Sequence, residues 1–473
     1  MEKKVIILLL AVFICSSVVH SQTNYQLTNE QETWLSKANR HEKNGWIYLH
    51  IEGVPKERGF QHGYLLAKEI KESIRVLSEV WQYQSALKWQ WLVQKAGTMF
   101  TPKVDIENIT EIDGIVEGMK AAGVITNRDE IVAYNGYMEL LWYWWPSVKD
   151  TISPNSPDPK KQSCSSFIAT GNMTADGGIV LGHNMMNAYY YPLCNIILDI
   201  LPDKGYNILM QSNAGFIHSG TDFFVTNAGL VGSETTIGDF FPFDEKGVPE
   251  FARMRHATQY ASTIDEWCEI MKNGNNGGYA NAWLIGDINT NEIARLELGL
   301  KYVGFEKKKD GYFTGSNVAE DLRILRFETK TKETNIRISS IARRVRWKQL
   351  MKENAGKINP ELAKNFEADH FDPYLNTTKP DGRTLCAHGN LDFDVNTFGY
   401  DDPFSPVGTL DGKVIDAKMA KQMSFSARWG SACGMPFEAK PFLEEHPQFE
   451  WMTGLLKDRP TQQWTSFKAG ENK

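Results

Sequence analysis

Cysteine is scarce and unpatterned in this 473-residue chain. One of its six cysteines, Cys15, lies in the N-terminal apolar stretch, and the other five (Cys164, Cys194, Cys268, Cys386 and Cys433) are widely separated. No CxxC and no paired Cys/His spacing occurs, which argues against a structural zinc site. The separations are unlike those of a small disulfide-stapled scaffold, and an odd count leaves at least one free thiol. Positive charge is in deficit: 51 Lys and Arg face 58 Asp and Glu, a net charge of −7 that argues against nucleic acid as a partner. After the first two dozen residues no long apolar run recurs, so stable membrane insertion is not expected. Internal repeats and low-complexity tracts are missing as well.

The N-terminus carries a targeting pattern. Lys3 and Lys4 precede the apolar run Val5 to Cys15, and Val19-His20-Ser21 offers a cleavage site before Gln22. Residues 1–21 therefore read as a signal peptide, and the mature protein as exported, either secreted or periplasmic. The bulky Ile14 before Cys15 speaks against lipidation. The remaining composition, 42% hydrophobic and 23% charged, is that of a globular protein with a sizeable core. Trp142, Trp144 and Trp145 cluster with Tyr143, a group that suits core packing better than an apolar ligand groove.

Periodicity divides the rest of the chain. Trp46 to Ile51 is aromatic and β-branched and predicts a strand. Helical spacing follows from Gly59 to Tyr83 and from Thr110 to Ala122, with a third helix from the Asn127 cap to about Trp145. Thr101 to Asn108 has no period and reads as loop. A proline-bearing linker (Asp150 to Gln162) then separates a mainly helical segment, 22–163, from a strand-rich one, 164–473. Strands are predicted at 166–170, 179–183, 195–201, 206–211, 222–226, 230–235, 282–287, 292–298 and 301–305. Helices are predicted at 251–260, 264–272 and 343–353, the last one basic. Strand runs interrupted by helix pairs indicate an α+β layered fold. The stretches around Cys386 and Phe425 to Gly434 could close a sheet or line a site, and the sequence leaves both possibilities open.

The candidate chemistry starts at Ser163-Cys164-Ser165. A turn at Asp176-Gly177-Gly178 and the run Ile179-Val180-Leu181-Gly182-His183-Asn184 follow, which reads as a hairpin able to bring Cys164 near His183. A thiolate is a good acyl acceptor but needs a base. Cleavage of the Ser163–Cys164 bond would supply one, the α-amine of Cys164 itself. Taken singly, a strand cysteine is more often inert core. Asn184, Asn227 and Asn317 sit at turns or strand ends, where amides can stabilise an oxyanion but are also commonplace.

Several motifs in order carry more weight. Ser163-Cys164-Ser165 with Gly182-His183-Asn184, then Asp222-Phe223-Phe224, Gly229-Leu230-Val231, Glu234-Thr235-Thr236-Ile237-Gly238, the run Asn275 to Trp283 and Gly315-Ser316-Asn317 resemble the phospholipase B-like family of N-terminal nucleophile hydrolases. That family is similar, more distantly, to the penicillin acyltransferase and bile-salt hydrolase groups. The resemblance spans about Gly45 to Trp464. It implies a four-layer αββα sandwich, autocatalytic cleavage between Ser163 and Cys164, and two chains that stay associated. Cys164 would be the nucleophile with its amine as base, His183 an orienting or polarising group, Thr236 a neighbour of the nucleophile, and Asn317 the oxyanion holder. Arg343 would complete the set, with Arg337 and Arg344 as alternatives. Asn184 and Asn227 would be possible oxyanion or supporting groups. His183 and Met186 stand where the bile-salt hydrolase pattern has Arg and Asp, so that group's substrate chemistry does not transfer. The implied activity is hydrolysis of an amide or ester of a small acylated or lipid-like substrate, without a metal or organic cofactor. Two alternatives are a cysteine peptidase that does not cleave itself and an inactive lipid-binding protein of the same fold.

Overall fold

The computed structural model describes residues 25–157, 163–191, 193–394 and 402–471. The expected signal peptide and residues 158–162 of the expected linker lie outside the described residues. Eighteen strands are present among them. In the first half these are β1 Asn39–Lys43, β2 Trp46–Gly53, β3 Ser163–Thr170, β4 Val180–Ala188, β5 Ile196–Pro202, β6 Ile208–Ser212, β7 Phe223–Thr226 and β8 Leu230–Thr236. The second half adds β9 Asn281–Asp287, β10 Glu292–Leu298, β11 Val303–Lys308, β12 Gly311–Gly315, β13 Phe371–Asp372, β14 Thr377–Thr378, β15 Val407–Thr409, β16 Asp411–Asp416, β17 Ser424–Trp429 and β18 Thr465–Lys468.

Two large sheets result, one of nine strands in the order β1-β2-β5-β6-β7-β8-β9-β10-β11, the other of seven with the path β12-β3-β4-β16-β17-β18 and β15 on β4. The period-two alternation of the strands separates three apolar layers. Trp46 and Tyr48 of β2 face inward with Ile168, Leu181, Ile197, Leu209, Phe223 and Phe425, filling the space between the sheets. Ile47, Leu49 and Ile51, the odd positions of the same strand, face the N-terminal helices. On the far side Phe167, Ala169 and Val180 pack against Trp347, Leu350 and Phe366. Helix, sheet, sheet and helix thus stack as the expected αββα sandwich.

The helix from Ile106 begins at an Asp105 cap that accepts from Asn108 N, four residues earlier than its apolar period suggests. The helix Trp89–Met99 and strands β12, β16 and β18 add elements that the sequence pattern did not show. Trp142, Tyr143, Trp144 and Trp145 are all buried, three of these aromatics lying in a π-helical turn at Leu140–Trp144; they are core.

The segment before Cys164 is built into the body of the protein. β2 lies between β1 and β5, pairing in parallel with β5. Helices Pro55–Leu65 and Ile106–Ala121 meet backbone to backbone: a Cβ on Gly59 would lie 2.0 Å from the Glu111 carbonyl oxygen. That approach places the buried carboxylate of Glu111 between Arg58 (Nε–Oε2 2.6 Å) and Arg255 (Nη2–Oε2 3.0 Å). Burial pushes the Glu111 carboxyl up, but the two guanidiniums outweigh it and hold the group below its ordinary range. Arg255 belongs to helix Glu250–Tyr260, so this ion triad joins the segments on either side of the proposed cleavage point. Glu111→Gln removes the carboxylate paired with buried Arg255, while Arg58 keeps Glu107 (2.8 Å) and Asp203 (3.3 Å), and should lower unfolding free energy by about 3 kcal/mol in denaturant titrations.

Candidate active site

β3 and β4 form the hairpin read from the sequence, in the register Cys164↔Met185 and Ser166↔His183. Residues two apart share a face, so Cys164, Ser166, His183 and Met185 all point towards the nine-stranded sheet. There Ser166 Oγ lies 2.6 Å from Ser233 Oγ of β8. The donor atoms of Cys164, His183 and Asp222 all lie within 4.8 Å of one another, and all three residues are fully buried.

The backbone of Cys164 is gripped from both sides. Its N–H donates to Asn317 Oδ1 (3.1 Å), and its carbonyl accepts from Arg343 Nη1. Arg343 also donates to Asn317 Oδ1 (2.8 Å), to Ser165 Oγ (3.1 Å) and to Ser339 Oγ (3.2 Å). Asn317 Nδ2 donates to the Thr236 carbonyl (2.8 Å). Two donors on one end of the amide and a carbonyl on the other fix its orientation. The expected use of Asn317 as an oxyanion donor is therefore not the contact seen; its oxygen holds the Cys164 nitrogen and its nitrogen is engaged. Asn317 adopts φ +67°, the left-handed conformation that asparagine tolerates better than most residues.

The structure selects among the arginines. Arg343 is wholly buried at the site, whereas Arg344 pairs with Glu320 and the exposed Arg337 lies 3.7 Å from Asp394. Thr236 is in place beside Asn317, its buried Oγ1 without a hydrogen-bond partner among the described residues. Two expected supporting groups lie elsewhere. Asn184, one residue out of phase with His183, faces the opposite side of the sheet and donates to the carbonyls of Glu367 (2.7 Å) and Leu385 (3.1 Å). Asn227 is exposed in the β7–β8 turn, accepting from Asn207 N, at the end of β8 away from Thr236. Seven extended residues put that turn about 20 Å from the site, too far to act there.

Residues without an expected role complete the surroundings. The phenol of Tyr279 lies 2.6 Å from Asp222 Oδ2 and 2.6 Å from Glu234 Oε1. One phenolic proton serves only one of the two carboxyls, so the other must itself be protonated to donate back. Accordingly burial pushes the Asp222 carboxyl up to about 6, and burial together with the Asp222 charge pushes Glu234 well above its ordinary range. Lys413 of β16, paired in register with His183, is buried with its ammonium 2.9 Å from Asp411 and bonded to Gln211 Oε1 and the Thr221 carbonyl. Burial raises the Cys164 thiol far above its usual value, the Glu234 and Asp222 charges add to this, and Lys413 opposes it. Burial and then Lys413 lower His183 well below its ordinary range. The site therefore holds a protonated thiol beside a neutral imidazole, and burial opposes charge separation between the two. In the sequence Asp222 is visible only as part of a motif, and Lys413 lies on a strand, β16, that the sequence pattern does not show.

Donor atoms suited to a metal ion gather at two places among the described residues, this site and a cluster of His370, Cys386, His388 and Cys433. No described helix is long and apolar enough to cross a membrane.

The family model described as Phospholipase B matches residues 11–303, more than half of the chain. The chain belongs to the phospholipase B family. An uncharacterized protein of Archaeoglobus fulgidus is 26% identical over 257 residues, which cover 52% of this chain and 42% of that protein. The putative phospholipase B-like 2 proteins of rat (Rattus norvegicus) and human (Homo sapiens) are 30% identical over 148 residues and 31% over 142. Those alignments cover 28% and 26% of this chain, and only 25% and 24% of the two relatives' own lengths. Among solved structures, a mutant conjugated bile acid hydrolase from Clostridium perfringens matches 56% of this chain and 89% of its own at 12% identity, with a TM-score of 0.35.

Proposed function

We propose that this phospholipase B family member is an exported hydrolase that activates itself by cutting the Ser163–Cys164 bond and then cleaves an amide or ester of an acylated, lipid-like substrate. The observation that carries the reading is the double grip on the Cys164 backbone by Asn317 and Arg343, with a donor atom of His183 within 4.8 Å of the thiol. In the first reaction the thiol attacks the Ser163 carbonyl carbon and its proton passes to His183. The C–N bond then breaks, the proton returns to the Cys164 nitrogen, and water hydrolyses the resulting thioester. The products are a Ser163 carboxylate and a free α-amine on Cys164.

That amine, held by Asn317 Oδ1, serves the second reaction as base. It takes the thiol proton as sulfur bonds to the substrate acyl carbon, and gives it to the departing amine or alcohol. Water then releases the acyl group. Neither reaction calls for a metal or organic cofactor. The lipid-like substrate is supported by the names of the phospholipase B-like relatives. The association of the two chains is supported by β2 between β1 and β5 and by the Arg58–Glu111–Arg255 triad.

Mass spectrometry of purified, incubated protein tests the first reaction. A fragment beginning at Cys164 is expected, co-eluting with its N-terminal partner until denaturant is added. An intact chain after prolonged incubation would sink self-processing. Acyl-thioester trapping on Cys164 with a panel of N-acyl amides and phospholipids then identifies the substrate class.

The Cys164, His183 and Asp222 cluster also favours a second reading, a cysteine peptidase that acts uncleaved. It requires peptide hydrolysis by intact chain and loss of that activity in His183→Ala.

A further inference from the structure

Cys386 and His388 flank Ala387, and the fold brings His370 and Cys433 from farther along the chain to them, with one donor atom of each of the four within 4.8 Å of the others. His388 Nε2 lies 3.6 Å from Cys386 Sγ and 3.4 Å from Cys433 Sγ. His370 packs edge-on to His388 with ring centroids 5.2 Å apart, and its buried Nε2 has no hydrogen-bond partner among the described residues. Both cysteines are free thiols.

We propose that these four side chains form a structural zinc site. With Zn–S bonds of about 2.3 Å and Zn–N bonds of about 2.05 Å, an ideal tetrahedron has S···N edges of about 3.55 Å. The two edges measured here fall on either side of that value. Two thiolates and two imidazoles are a donor set that zinc favours, and four protein ligands leave no open position for catalysis.

The surroundings suit a fixed site. Met435 N donates to Cys433 Sγ (3.4 Å), the kind of backbone contact that steadies a thiolate ligand. Cys386 N donates to the Asp369 carbonyl and His388 N to the Asp381 carbonyl. Arg383 stabilises the same segment through Asp372 (2.9 Å) and Asp392 (3.4 Å). A bound ion would clamp the segment from His370 to His388 onto the turn that follows β17. It would also fix Leu385, whose carbonyl accepts from Asn184 on the back of β4, next to His183. Spacing alone hides the set because the turn after β17 supplies its fourth member.

The test is the metal content of the purified full chain. About one zinc ion per chain that survives dialysis is expected, together with uptake of one ion when chelator-treated protein is titrated with Zn²⁺. Replacing zinc by Co²⁺ should give intense visible bands of a tetrahedral ion and near-ultraviolet thiolate-to-cobalt charge transfer. In Cys433→Ser, whose side chain is half-exposed and whose hydroxyl can fill the same space, the zinc should be lost and the charge-transfer intensity should fall. Absence of metal and of Zn²⁺ uptake in folded protein would overturn the proposal. So would a Cys386–Cys433 disulfide found by non-reducing peptide mapping, or an octahedral cobalt spectrum. None of these outcomes bears on cleavage at Cys164, so this site and the hydrolase reading stand or fall separately.

Discussion

Cys164→Ala is expected to accumulate as one uncleaved chain, and to lower acyl transfer by about 10⁴-fold or more, the scale on which nucleophile removal acts. Both losses follow from one atom, because the same sulfur attacks the chain's own Ser163 carbonyl and later the substrate. The variant should stay folded. Cys164 contributes only a small side chain to a large apolar cluster, and its backbone contacts to Asn317 and Arg343 do not involve the sulfur. A destabilisation of about 1 kcal/mol is expected. Cys164→Ser separates nucleophilicity from packing: the hydroxyl keeps the volume nearly constant but resists deprotonation by a neutral imidazole, so cleavage should be slowed rather than abolished. The readouts are intact mass over time and the rate of acyl release. If Cys164→Ala retains cleavage at the same bond, Cys164 is not the nucleophile.

Much of the layered fold is legible in the sequence because its strands alternate cleanly. In β2, inward Trp46 and Tyr48 and outward Ile47, Leu49 and Ile51 need only period two to be sorted. The same rule separates His183 from Asn184: adjacent residues on one strand point to opposite faces, which is why the histidine reaches Cys164 and the asparagine binds carbonyls on the other side. Other features rest on tertiary packing and leave little local trace. Asp105 caps a helix whose first apolar residue, Ile106, is exposed and so does not mark the buried face. β16 carries buried Asp411 and Lys413, which oppose the apolar pattern of a core strand and are accommodated by pairing with each other and with Gln211. Arg343 and Arg344 are adjacent and chemically alike, and only the direction in which helix Ser339–Glu353 faces β3 distinguishes the arginine at Cys164 from the one paired to Glu320. For the same reason Asn317 reads in the sequence as a donor to an oxyanion, while Arg343 and the Cys164 N–H turn its amide the other way.

That orientation gives Asn317 a distinct mutational signature. Its φ of +67° is costly for alanine and free for glycine, so Asn317→Gly removes the side chain without straining the backbone, whereas Asn317→Ala does both. The alanine variant should be less stable than the glycine variant by about 1–2 kcal/mol. Catalysis should not follow the same ranking. Both variants lose the acceptor that fixes the Cys164 nitrogen, and a base misplaced by about 1 Å costs on the order of 10²-fold. Both should therefore show kcat reduced by that amount with KM little changed, since Asn317 contacts the nucleophile's backbone rather than a substrate pocket. Arg343 would still hold the Cys164 carbonyl and Ser165, so the strand end should stay in place. Chemical denaturation measures the stability difference, and steady-state kinetics on protein already cleaved at Cys164 measures the rest. A glycine variant with full activity would show that Asn317 serves only the turn; equal loss in both variants assigns its role to the amide oxygen at the Cys164 amine.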